Sequence, residues 1–338
     1  MKSRGTFTIS IDLELAWGIC DKPIGLDTSA ALMREREMIQ RLLDLFSKYS
    51  VKATWAVVGH LMLAECDWEN ETVHPEFSRP VIKNQKRDWF FQHPKSRNDP
   101  LWYGRDIVEW IRNAVPQQEI GSHSFCHVPY DEVTTESDTV RQDIEKAREL
   151  HKTLELPFEI FIFPRNRLGH RELLAQAGVR AYRGNTHRWY YSVPSKSIRR
   201  LFNFLYFFLP IPPRTVTATV DETGMVNIPD SMQFFSRQGS RSLVSPKNLT
   251  KKGVVGLNRA VARGEIFHLW FHPANFAYGS ESQFHILETI LKRANQLREL
   301  GQLEILTMGE IEKKTSEFQR RIILDERAQP VHGNPALA

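Results

Sequence analysis

TFTISIDLELAW, residues 6–17, alternates without a break: Phe7, Ile9, Ile11, Leu13 and Leu15 fall on one face, and Thr8, Ser10, Asp12, Glu14 and Ala16 on the other. Period-two alternation marks a β-strand whose two faces meet different surroundings. Downstream, Asp27, Thr28 and Ser29 offer N-caps to a helix whose apolar positions Leu32, Ile39, Leu42, Leu43 and Phe46 recur at helical spacing and end before Val51. The pattern then predicts a strand over 51–58, a helix over 105–115, a strand over 119–122 and a helix over 134–154. A strand over 158–163, a helix over 170–177 and a strand over 179–182 follow. Beyond Leu201 the pattern is irregular, until a strand over 266–271, a helix over 282–300 and a strand over 303–306 restore it. Strands and helices in alternation predict an α/β protein with a parallel sheet covered by helices, either a barrel or a doubly wound sheet.

No internal repeat, low-complexity tract or single linker divides the chain. One domain over 1–318 is expected, with insertions at 67–103 and about 185–260 and a flexible tail over 319–338. The 338 residues are 41% apolar, 25% charged and 11% aromatic, which excludes disordered and collagen-like chains. Three cysteines, Cys20, Cys66 and Cys126, are too few to staple a chain this long and form no C-x-x-C pair, which points to a reducing compartment. The first strand begins with no apolar signal core before it, so a cytoplasmic location is expected. Net charge is +5, but residues 165–200 hold nine Lys or Arg against the single Glu172, leaving that segment at +8 and the remainder at −3. Such a surplus is ordinarily a solvated face; its functional reading is a patch that meets a phosphate or acidic sugar. No nucleic-acid partner is expected, because no helix-turn-helix, zinc-finger spacing or aromatic RNA-binding signature accompanies the arginines.

In parallel α/β folds, reactive groups collect where strands end. Asp12 and Glu14 share one face of the first strand with Cα atoms about 6.6 Å apart, so one can hold a cation while the other stays free as a base. A lone D-x-E is more commonly an exposed polar edge, but a central buried strand makes unpaired charge expensive. Next comes GSHSFCH, residues 121–127, directly after a strand: His123 and His127, four apart in a turn or one helical turn, can point at one metal. Two imidazoles and one carboxylate leave a coordination position open for water, as in catalytic zinc sites. FPRN, residues 163–166, places Arg165 at a third strand end. FHLWFHP, residues 267–273, sets His268 about 13 Å from His272, so His272 can join the site while His268 packs in the core.

Together SIDLE, HSFCH, FPRN and LWFHP resemble, in order, the motifs of the polysaccharide deacetylase family, carbohydrate esterase family 4, over roughly residues 6–306. The H-[ST]-x-x-H motif matches in full; the acidic motif looks like a D-x-E variant of T-F-D-D; the arginine motif lacks the R-x-P-Y order; and Asp230 in NIPDSM is a candidate for the Asp-Trp motif. The resemblance implies a distorted (β/α)7 barrel and divalent-metal-dependent hydrolysis, with zinc the implied ion, of an N-acyl group, usually acetyl on an amino sugar. It implies Asp12 as catalytic base, Glu14, His123 and His127 as metal ligands, His272 as catalytic acid, and Arg165 as the residue that keeps Asp12 ionised and oriented. No other cofactor is implied.

Two alternatives stand beside this one: an amidohydrolase on a small non-sugar amide or cyclic imide, and a glycan-binding relative without catalysis. A last feature concerns where the substrate is met. LFNFLYFFLPIPP, residues 201–213, is uncharged and flanked by Arg199, Arg200 and Arg214, and is too short to span a bilayer, which needs about 20 apolar residues. Phe202, Phe204, Phe207 and Phe208 suit either a buried helix or hairpin or an interfacial segment over 199–214 with arginines on anionic headgroups. With the basic stretch before it, the interfacial reading predicts a peripheral enzyme acting on a phosphate-linked surface-glycan precursor at the inner face of the membrane.

Overall fold

A computed structural model describes residues 4–328, apart from 70–71, 84–86, 94–98, 187–192, 196, 199–201, 203–207 and 210. Its centre is strand β1 (Gly5–Leu13), paired in parallel with β2 (Thr54–Val57) on one side and with a later strand, Ile266–Phe271, on the other. Phe7, Ile9, Ile11 and Leu13 are fully buried, and so are Thr8 and Ser10, with Asp12 nearly so. Both faces of β1 are therefore inside the protein, the apolar one in the main hydrophobic cluster and the polar one turned the other way.

The remaining elements follow the expected alternation. Helix α1 (Leu26–Lys48) precedes β2; a small antiparallel hairpin, β3 (Trp68–Glu69) and β4 (Thr72–Val73), lies in the first insertion; then come α2 (Arg105–Arg112), β5 (Glu119–Ser122), α3 (Ser137–Thr153), β6 (Ile160–Ile162), α4 (Arg171–Gln176) and β7 (Ala181–Arg183). Short strands β8 (Thr219–Val220), β9 (Val226–Asn227) and β10 (Met232–Gln233) lead to α5 (Pro246–Arg263), β11 (Ile266–Phe271), α6 (Ser280–Glu299), β12 (Leu303–Ile305) and α7 (Met308–Ala328).

The sheet runs β10-β11-β1-β2-β5-β6-β7-β9-β8, parallel except for the β8–β9 pair, with β12 added beside β1. β9 and β10 are the two ends of one bent segment: β9 pairs with β7, β10 pairs with β11, and between them Asp230 N–H donates to Gly184 O and Ser231 N–H to His268 O. That segment closes a ring of seven staves, a distorted (β/α)7 barrel.

Several boundaries differ from the expectations, each for a local reason. β1 stops at Leu13, because Leu15 takes a positive φ and the chain turns into a 3-10 helix over Leu15–Ile19, so Glu14 sits just past the strand and not on it. α1 starts at Leu26 with Gly25 as its N-cap and no side-chain cap, which leaves Asp27 in the first turn, where a carboxylate favours the helix dipole. The stretch expected to be tail from 319 continues α7 as far as Ala328. Among the described residues no helix is long and apolar enough to cross a membrane.

Candidate active site

The strand ends of β1, β5, β7 and β11 converge on one region, and the site follows from what each delivers. From β1 comes Asp12, 2% exposed, with a bidentate partner in Arg183 at the end of β7: Nη1 donates to Oδ1 at 2.6 Å and Nη2 to Oδ2 at 2.7 Å. Burial alone would raise the Asp12 pKa, but the guanidinium beside it outweighs burial and holds the carboxyl below its ordinary value. Arg183 is itself fixed by Ser10 Oγ, by Asn166 Oδ1 at 2.9 Å, and by the Trp270 ring, whose centroid lies 4.3 Å from the guanidinium carbon. Trp270 in turn donates its indole N–H to Asp230 Oδ2 at 3.1 Å. Asp230 therefore orients an aromatic wall beside the reacting groups.

Arg165, expected to hold Asp12, does not reach it. Its side chain pairs with Asp21 at 2.7 Å, and its backbone lies in a left-handed turn that swings it away from β1. Arg183 takes that role because it is the last residue of its stave, on the inner face of the barrel, where β1 presents Asp12.

Glu14 lies at the centre of three imidazoles: its Oε1 is 3.0 Å from His123 Nε2, 3.1 Å from His127 Nε2 and 3.3 Å from His272 Nε2. His123 and His127 reach it from a loop whose Ser124 and His127 are both left-handed, not from a helical turn. Ser124 Oγ accepts the His127 backbone N–H at 2.7 Å, which gives the hydroxyl in H-S-x-x-H a physical role. His123 Nδ1 lies 2.8 Å from Ile162 O, a backbone partner that fixes the ring with Nε2 toward Glu14, the orientation a metal-bound imidazole needs. Burial would raise the Glu14 carboxyl, but His272, His127 and His123 together hold it well below the usual range. A carboxylate and two imidazole nitrogens at these spacings, dry and with the His123 ring fixed by a backbone carbonyl, fit a divalent ion held by Glu14, His123 and His127.

His272 stands at the end of β11, 3.8 Å from Asp12 Oδ2. Burial pulls its pKa down, but Glu14 and Asp12 more than reverse this and raise it to about 9. His268, two residues inward on the same face, is fully buried between Ser10 Oγ and Pro229 O, and burial lowers it to about 4. It is a barrel-core histidine.

A pocket of about 200 Å³ opens beside His272 and Glu14, walled by Leu15, Gly18, Ala31, Leu32 and Tyr278. Glu35 also lines it, is 2% exposed, and has its carboxyl pushed up by burial to about 8. Burial thus favours its neutral form more than that of an ordinary carboxyl. The basic stretch is less available than its sequence implies: Arg167, Arg171 and Arg180 pair with Asp131, Asp221 and Glu159, as Arg165 and Arg183 do with Asp21 and Asp12. Arg188, Lys196, Arg199 and Arg200, and most of 201–213, lie outside the described residues.

Comparison with known proteins agrees with this architecture. A search of curated proteins returns no match. A candidate polysaccharide deacetylase from Mycobacterium smegmatis superposes with a TM-score of 0.60 at 13% identity, covering 99% of this chain and 96% of that one. The Puue allantoinase gives 0.58 at 10% identity over 92% and 90%, and another candidate polysaccharide deacetylase, from Pseudomonas aeruginosa PAO1, gives 0.57 at 11% over the same shares. At such identities the likeness speaks for the fold. The family model for polysaccharide deacetylase matches residues 26–182 of the sequence itself. Over the residues that the family model spans, its match and the likeness of fold agree.

Proposed function

We propose that this hydrolase of amide bonds is metal-dependent and removes an N-acyl group, N-acetyl before others, from an amino sugar in a polysaccharide or glycoconjugate precursor. The observation that carries the reading is the meeting of an Arg-paired carboxylate, a carboxylate among imidazoles and the His272 imidazole around one point. An amide is a poor electrophile with a poor leaving group, so its hydrolysis needs a polarised carbonyl, an activated water and a proton for the departing nitrogen. A divalent ion, zinc in our reading, held by Glu14, His123 and His127, supplies Lewis acidity to the carbonyl and lowers the pKa of water. Asp12, kept ionised by Arg183, takes the proton of the attacking water. His272, 3.8 Å from Asp12, would deliver a proton to the leaving amine.

Asp12→Asn tests this directly. It keeps the shape but accepts no proton, so turnover of N-acyl amino sugars should fall at least ~100-fold with the metal still bound. His123→Ala should lose the metal. Turnover near wild type in Asp12→Asn, or metal loss from it, refutes the division of labour. A panel of free, nucleotide-linked and lipid-linked N-acyl sugars beside small amides and cyclic imides separates the deacetylase from the amidohydrolase reading.

In our reading residues 1–318 act as one domain at the inner face of the membrane, on a phosphate-linked precursor, with contact through 199–214. Of the described parts of that stretch, Leu209 and Ile211 are 47% and 42% exposed and support it, whereas Phe208 packs against the main hydrophobic cluster. Salt-sensitive flotation with anionic vesicles, lost in Phe204→Ser with Phe207→Ser, is the expected result; no flotation of wild type at low salt removes the membrane contact.

A further inference from the structure

The insertion between β2 and α2 carries a second cluster of metal-ligand types, apart from Glu14 and its histidines. His60, Cys66, His74 and His93 are all buried, at 0%, 2%, 2% and 7% exposure. His60 Nε2 lies 3.0 Å from Cys66 Sγ and 3.0 Å from His93 Nε2, and Cys66 Sγ is 3.5 Å from His93 Nε2. Around a tetrahedral zinc with Zn–N near 2.05 Å and Zn–S near 2.3 Å, the edges of the tetrahedron are about 3.3 Å between nitrogens and about 3.5 Å from nitrogen to sulfur. The three atoms thus already form one face of a zinc-sized tetrahedron, a few tenths of an ångström tight on two edges.

His74 supplies the fourth donor. Its ligand nitrogen lies within 4.8 Å of those of His60 and Cys66. Its Nδ1 faces the Glu76 carboxylate at 3.5 Å, and its Nε2 is buried with no hydrogen-bond partner. A carboxylate on the far nitrogen of an imidazole is the arrangement that orients a metal-bound histidine. A cluster held by hydrogen bonds alone leaves His74 Nε2 dry and unpaired, which is unfavourable in a buried site. The Tyr103 hydroxyl donates to Cys66 Sγ at 2.9 Å, a contact that stabilises a thiolate.

We propose that His60, Cys66, His74 and His93 form a second, structural zinc site that clamps the 66–103 insertion onto the barrel. With His74 drawn in around an ion, four protein donors would fill a tetrahedron and leave no position for substrate, which would distinguish this site in kind from the open one at Glu14. Binding forms the sulfur–metal bond and sends the Cys66 proton to solvent. What the clamp secures is visible in the packing around it. His60 N–H donates to Phe125 O and Gly59 N–H to Ser124 O, so the turn bearing His60 is bonded to the loop bearing His123 and His127. Gly59 is required there, because a Cβ would come within 3.2 Å of the Phe125 backbone. Trp17, in the turn after Glu14, stacks 4.4 Å from the His60 ring and edge-on to Trp102 of the insertion. From the insertion, Trp89 donates to Cys126 O at 2.7 Å.

Metal counting on the full chain, purified with zinc and dialysed, tests the proposal independently of the hydrolytic reading. Wild type should hold two equivalents, His123→Ala one and Cys66→Ser one. Loaded with cobalt(II), His123→Ala should show a thiolate-to-metal charge-transfer band in the near ultraviolet, because the remaining ion is bound through sulfur. Loss of all metal from His123→Ala, or a cobalt spectrum of that variant without the thiolate band, overturns the second site. The cobalt spectrum decides the matter even where Cys66→Ser fails to fold.

Discussion

Replacing Arg183 with Met removes the cation from a pair in which both partners are almost wholly inside the protein. The two nitrogen–oxygen contacts of 2.6 and 2.7 Å place the charge centres about 4 Å apart, which is worth ~4 kcal/mol at an effective dielectric of 20. Because Asp12 stays behind, the cost is that of a buried carboxylate with no counter-charge, roughly 3–5 kcal/mol of folding stability. The same loss lets burial push the Asp12 pKa upward, so the acid limb of the pH–rate profile moves to higher pH and turnover at neutral pH falls at least ~100-fold. Urea unfolding followed by circular dichroism gives the first quantity and a pH–rate profile the second. The decisive companion is Asp12→Asn with Arg183→Met, in which no charge is left buried: stability should recover by a few kcal/mol relative to Arg183→Met, while activity does not. A single variant that loses less than about 1 kcal/mol, or a double variant no more stable than it, refutes the reasoning.

Gly18→Ala places a methyl where the Glu14 carboxylate now lies, so it should weaken metal binding at that site while the melting temperature of the metal-free protein changes by only a degree or two; competitive chelation measures it. His151, fully buried with Nδ1 donating to Pro157 O, has its pKa lowered to about 4 by burial, so the unfolded chain takes up a proton first as pH falls below 6.5. Wild-type stability should therefore drop by roughly 3 kcal/mol between pH 6.5 and 4 from this group alone. His151→Phe should flatten that slope, and an unchanged slope in unfolding curves across the range removes His151 as its source.

What the sequence disclosed depended on whether the information was local. The strands over 119–122 and 266–271 read residue for residue: 266–271 is a short, largely apolar run ended by Pro273, and 119–122 is pinned between Pro116 and the histidine motif that begins at His123. Asp12, Glu14, His123, His127 and His272 were likewise legible as candidates, since each stands at a strand end in a recognisable local string, and the structure brings all five together. Arg183 was not. Its partner is 171 residues away, and in sequence it is one of nine Lys or Arg in a basic stretch, whereas Arg165 stood beside a proline at a strand end. His60, Cys66, His74 and His93 have no metal-binding spacing to betray them; only the folding back of a long insertion makes them neighbours. Glu35 on α1 drew no reading from the sequence, because helical periodicity reports the apolar face and is silent on a carboxyl at its edge.

The pairing of β1 sets a timetable for the protein's own synthesis. Thr6 finds its parallel neighbour at Ile266, and Gly5 finds one at Leu303. At ribosomal rates of about 5–20 residues per second, the first strand emerges roughly 13–50 s before the strand that covers its flank. During that interval β2 can shield only its far half, Ser10–Leu13, and Phe7 and Ile9 lie on an open edge. Asp12 and Glu14 likewise wait for His272, so metal capture by the complete site is a late event. Chains released before Ile266 should be protease-sensitive and retained by chaperones that bind exposed strands, and arrested nascent chains of graded length would show protection appearing only once β11 has left the ribosome.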